Sequence, residues 1–172
     1  MTKVGAFVWF GTQCSSYTAL CKNNSQRGAA NLFLGDESKE FVKTGNTQMT
    51  ITALLMLVSF LVENLAVLEQ SAGSTMPKTP PLNVVLKFAN AKRVVTWHGA
   101  FGAPTPKPLQ IWSNSAIIEK LRREKPVGIS GHLCSNVGGD SSYSGIPRRL
   151  FGSQAYTAEF GRAVADMMRG AH

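Results

Sequence analysis

Apolar residues fall along the chain in short blocks separated by polar stretches, and the blocks alternate between strand-like and helix-like lengths. Residues 5–11 (GAFVWFG) are aromatic, brief and bounded by glycines, which suits a buried strand. Residues 12–45 are polar, with Asn23, Asn24, Ser25, Gln26 and Arg27 reading as a loop. Asn46 can accept a free first-turn N–H, so the pattern predicts a capped helix over 47–63. Its Leu54, Leu55, Leu57, Val58, Leu61 and Val62 cover more than one face, which predicts a helix buried on most sides. Residues 65–69 (LAVLE) predict a second strand ending on a carboxylate, followed by a Ser-, Thr-, Gly- and Pro-rich loop over 71–81. A short helix over 82–91 and a third strand over 93–97 come next. Pro104, Pro106 and Pro108 enforce an extended connection, because each lacks an N–H and restricts the residue before it. That connection leads to 109–112 (LQIW), expected as an antiparallel edge strand. A short basic helix over 115–123, a Gly- and Ser-rich stretch over 126–153 and a closing helix over 157–169 complete the pattern, which contains no internal repeat.

Strand, helix, strand, helix, strand is the order of a parallel sheet with right-handed crossovers. The expected fold is therefore α/β: a partial doubly wound, Rossmann-like sheet of mostly parallel strands with flanking helices, in one domain over 1–172. Ligands of such sheets bind beyond the carboxyl ends of the strands. The segments 13–17, 69–74 and 98–107 are accordingly the places to look for a site.

Composition narrows the class. The chain has 172 residues, 44% hydrophobic and 16% charged, which suits one packed domain and not a disordered chain. Three cysteines are an odd, irregularly spaced set, unlike a disulfide-stapled secreted scaffold. The most apolar run, residues 51–62, is too short to span a bilayer. No membrane partner is expected, and an intracellular, nuclear included, location is. The net charge of +8 is lopsided: residues 1–86 carry +1 and residues 87–172 carry +7. The second half is thus the surface for an anionic partner, or simply a solvated basic face.

The strand ends carry the candidate chemistry. Cys14 follows the first strand in a loop of small residues, where a thiol is either reactive or merely a small half-buried side chain. Glu69 closes the second strand, where a carboxylate must be solvated, hydrogen-bonded or matched to a ligand donor. Lys107 stands between prolines that hold its direction, useful for a phosphate. Lys120, Arg122, Arg123, Arg148 and Arg149 form short basic runs beside Trp112 and Tyr143, and cations with stacking aromatics suit DNA or RNA. Cys14, Cys21, His132 and Cys134 supply four soft ligands, but at spacings uncommon for zinc. No G-x-S-x-G elbow supports a serine hydrolase.

The order Cys14-Ser15-Ser16-Tyr17, then Glu69-Gln70-Ser71, then Phe101-Gly102-Ala103-Pro104 followed by Lys107-Pro108 resembles DNA (cytosine-5) methyltransferases. It is most similar to uncharacterised algal proteins of that kind, some of them retroelement-associated. The segment Ser153-Gln154-Ala155-Tyr156-Thr157-Ala158-Glu159-Phe160 also looks like their end segment. The resemblance implies Cys14 as the thiolate attacking C6 of a flipped-out cytosine, so that C5 can take a methyl group. It implies Glu69 as the hydrogen-bonding partner of the pyrimidine edge, and Lys107 in place of a family arginine. Gln13 stands where the family has Pro, and Gln70 where it has Asn. The family's Gly-rich turn for S-adenosylmethionine belongs to strands that have no counterpart ahead of residue 5. The expected protein is thus a truncated methyltransferase-like domain, inactive alone and binding nucleic acid through its basic half, with S-adenosylmethionine a cofactor only if the missing half is supplied. A structural or accessory subunit is the alternative, with a protein partner or a second copy covering the open sheet edge.

Overall fold

Residues 5–127 and 155–169 are described by a computed structural model. Four strands, β1 (Phe7–Phe10), β2 (Leu65–Ser71), β3 (Lys92–Trp97) and β4 (Pro108–Ser113), form one sheet in the order β1-β2-β4-β3. Around them lie α1 (Lys22–Ser25), α2 (Glu40–Leu61), α3 (Pro80–Phe88) and α4 (Ala158–Arg169), joined by short 3-10 turns. The α/β class holds, but the sheet is mixed. β1 and β2 are parallel, whereas β4 pairs antiparallel with both β2 and β3. β1, β2 and β3 therefore share one direction, and β4 runs against them.

β4 is not the edge strand that its sequence suggests. It lies between β2 and β3, and Leu109, Gln110, Ile111 and Ser113 are buried because both faces of the sheet are covered there. The proline-rich 98–107 segment carries the chain out and back, and His98 N–H donates to Lys107 O at 2.9 Å as the return begins. The edges among the described residues are β1 and β3.

Alternation along the strands divides two cores. Leu68 faces Met49, Ala53 and Met56 of α2 and Leu82, Val85 and Leu86 of α3. Val67, Val94, Leu109 and Ile111 face Phe160 and Met167 of α4 and the turn at Ala116–Leu121. That turn is 3-10 where a basic helix was expected, and the Ser115 hydroxyl caps it by accepting from Ile117 N–H at 3.3 Å. α3 starts earlier than its pattern suggests because Pro80 and Pro81 occupy the first helical positions, which need no N–H donor.

α2 departs most from expectation. It begins at Glu40, so Asn46 lies inside the helix, buried, and caps nothing. The helix is not buried on most sides either: Ile51, Leu54, Leu55, Val58 and Leu61 each remain at least half exposed along one stripe.

Candidate functional site

The loop after β1 sets Cys14. Gly11–Cys14 lead into a 3-10 turn at Ser15–Tyr17, with Tyr17 N–H donating to Cys14 O at 2.8 Å. The turn is held from beneath by Arg27, which is 4% exposed. Its Nε donates to Ser16 O at 3.0 Å and its Nη2 to Ser16 Oγ at 3.0 Å and Val42 O at 3.2 Å. Its Nη1 donates to Phe33 O, Leu34 O and Asn46 Oδ1 at 2.7 to 2.8 Å. The guanidinium also stacks 3.6 Å above the Tyr17 ring. Tyr17 Oη donates to Asn46 Oδ1 at 2.9 Å, and burial pushes its hydroxyl up to about 12. α2 can approach this loop because position 45 is glycine: a Cβ there would stand 2.4 Å from Ser16 Oγ.

The loops after β1 and β2 are joined by Gln70. Its Nε2 donates to Thr12 O at 2.8 Å, and its Oε1 accepts from Ser74 Oγ at 2.9 Å. Opposite it in register, Gln110 Nε2 donates to Ser71 O and Ser74 O. The residue in the family's Asn position thus serves as a strut. Thr75 adds a second tie, its backbone N–H and hydroxyl both donating to Tyr17 O.

Glu69 points to the other face of β2, and it lies within the strand, which continues to Ser71. It is 7% exposed. Its Oε2 accepts from Tyr156 Oη at 2.5 Å. Burial raises the Glu69 carboxyl above the usual carboxylate range, against smaller opposing effects of the Tyr156 hydrogen bond and the Lys107 charge. Tyr156 is raised too, first by burial and then by the Glu69 charge. Its hydroxyl also bonds the Trp9 side chain and stands near Cys14. A Cβ at Gly11 would meet that hydroxyl at 3.3 Å.

His98 completes the cluster. Its ring is 1% exposed, packs edge-on against Tyr156 and Phe160, and has neither nitrogen hydrogen-bonded among the described residues. Burial, and then the Lys107 charge, lower its basicity, so it is neutral at pH 7. The Thr157 hydroxyl donates to Phe101 O at 2.5 Å and accepts from Phe160 N–H at 3.1 Å, which caps α4 and sets Tyr156 over Glu69.

The structure therefore brings Cys14, Glu69 and Lys107 to one edge of the sheet, around Tyr156. Of the basic residues, Arg123 lies 5.3 Å from the Phe101 ring centroid, on the segment beyond β3. Lys125, unmarked by the sequence, lies 5.7 Å from the Trp97 ring. Arg122 is turned instead to Glu119, with bonds of 2.7 and 2.9 Å, and Lys120 is exposed. Arg148 and Arg149 lie outside the described residues, as do His132 and Cys134. Among the described residues no three candidate metal ligands gather, and Cys14 and Cys21 are thiols.

Sequence reasoning passed over Tyr156, Arg27 and Trp9 as site residues, and reached His98 only as the first residue of the 98–107 segment. Tyr156 had one signal, its place in the end segment of the methyltransferase resemblance. Arg27 had none, since a lone cation in a polar stretch reads as solvated. The chain matches no protein-family model, no curated protein and no solved structure.

Proposed function

We propose that the chain is a methyltransferase-like domain that binds nucleic acid at the carboxyl edge of its sheet and transfers no methyl group alone. One observation carries this reading: Glu69, buried beneath Tyr156, lies near enough to Lys107 to feel its charge, with the Cys14 loop close to Tyr156. A buried carboxyl can bond the polar edge of a base, and a neighbouring lysine can hold its phosphate. Arg123 and Lys125 extend the positive charge along the segment after β3, and Lys120 adds an exposed cation. Tyr156 Oη already occupies one acceptor site of Glu69, on Oε2, so a base would share this carboxyl with that hydroxyl. S-adenosylmethionine enters only with a second half of the fold supplied from elsewhere.

The test is a salt series. Binding of single-stranded and duplex oligonucleotides is measured between 50 and 200 mM salt, roughly the range over which phosphate contacts weaken. Affinity is expected to fall steeply with salt, and Lys107→Ala to lower the log–log slope by about one. A salt-independent affinity, or a slope indifferent to Lys107, overturns the nucleic-acid reading. Calorimetric binding of S-adenosylmethionine at micromolar concentration overturns the exclusion of transfer. A scaffold role is the second reading, favoured by the apolar outer face of α2.

A further inference from the structure

We infer that the outward face of the α2–α3 layer is the contact through which two copies of this chain pair about a two-fold axis. The inference is independent of the nucleic-acid reading, since this face lies across the sheet from Glu69 and Tyr156.

Spacing on α2 separates its two faces. Val42, Met49, Ala53 and Met56 are buried, while Ile51, Leu54, Leu55, Val58 and Leu61, with Val62 just past the helix end, are 50% to 63% exposed. Steps of three, four and seven put the second set on one stripe turned away from the sheet. α3 shares the α2 core, so both helices cover the same face of the sheet. α3 exposes Val84 and Phe88, which lie one turn apart, at 64% and 63%. At roughly 100 Å² each, eight such side chains present about 800 Å², the share one partner gives to a stable interface and more than the usual largest patch on a monomer.

Charge argues for a second copy as the occupant. Every residue from Thr44 to Val62 is uncharged. Two chains of net charge +8 repel over most of their surfaces, and the uncharged α2 stripe lets them meet there without facing like charges, while Lys87 is exposed on α3. Charges bound the stripe at its two ends, Lys43 before it and Glu63 after it, both exposed. Antiparallel packing of α2 on its mate carries the Glu63 end of each helix toward the Lys43 end of the other. Two-fold symmetry then makes both ends sign-matched, and the contact closes at two copies.

Light scattering and sedimentation of the full chain, from about 1 to 100 μM, test this at moderate salt. A dimer is expected for the native chain, with association weakened at least a hundredfold by Leu54→Glu with Val58→Glu. Both sites face outward, so circular dichroism of the variant should stay native, and Leu32→Ser, at another exposed leucine, should leave the dimer intact. Hydrogen exchange should show concentration-dependent protection over 51–62 in the native chain, which checks the contact without mutation. A monomer across the range, a larger open assembly, or a dimer indifferent to the α2 changes overturns the inference.

Discussion

Arg27 holds its guanidinium under the Cys14 loop, its five N–H groups reaching six acceptors, and among the described residues it makes no ion pair. It also steadies Leu32 and Phe33, two consecutive non-glycine residues at positive φ (55° and 62°), by binding the carbonyls of Phe33 and Leu34. Arg27→Met leaves those acceptors buried and unmet, and should cost about 3 kcal/mol in urea unfolding, with Arg27→Lys recovering little because a point cation cannot fork. Glu69 and His98 give opposite pH signatures. Burial raises the Glu69 carboxyl, so the folded state holds its proton more tightly than the unfolded state. Stability is then lost as pH rises above the ordinary carboxylate value of 4.5 and on through the raised folded one. Glu69→Gln should be more stable than the native chain by about 1 kcal/mol at pH 7.5, the gap closing toward pH 4. His98 is lowered, so the unfolded chain takes up a proton first as pH falls through 6.5, and stability drops on the acid side. His98→Leu should remove that drop, measured as the difference in melting temperature between pH 7.5 and 5.

At the scale of elements, α2 shows why a local pattern misleads. Asn46 reads as a cap because Asn favours the first position of a helix, yet it accepts from Tyr17 and Arg27 and donates to Leu34 O and Glu37 Oε1. Those partners come from segments up to 29 residues away, and no helical period encodes them. Gly45 belongs to the same contact. In an isolated helix, Gly→Ala gains about 1 kcal/mol. Here the added Cβ meets Ser16 Oγ at 2.4 Å, so Gly45→Ala should destabilise by about 2 kcal/mol, read from the denaturant midpoint, with Ser16→Ala recovering part of it. β4 carries the same lesson for strands. Its four letters LQIW suit either an edge or a centre, and only the return of 98–107 puts it between β2 and β3.

For the whole molecule, one face of the sheet carries the polar cluster around Glu69 and the other carries two helices with an apolar outer stripe. The uneven charge along the sequence reaches the site only in part: Lys107 feels Glu69, and Arg123 and Lys125 stack on aromatics nearby, while Arg122 is engaged by Glu119. If two copies pair through α2, dissociation is part of unfolding. The melting temperature should then climb by a few degrees per tenfold rise in concentration, and Leu54→Glu with Val58→Glu should abolish that climb.

The sequence alone determined the α/β class, β1, the β2 and β3 starts to within a residue, and α4. These depend on apolar periods and on proline and glycine, which act over a few residues. Tertiary structure alone decided the place of β4, the outward turn of the apolar stripe of α2, the burial of Arg27 and the seating of Tyr156 on Glu69. Each is a contact between residues far apart in the chain: the Tyr156 bond spans 87 positions. The energy of such a contact is that of desolvation and pairing in three dimensions, and no pattern along one dimension records it.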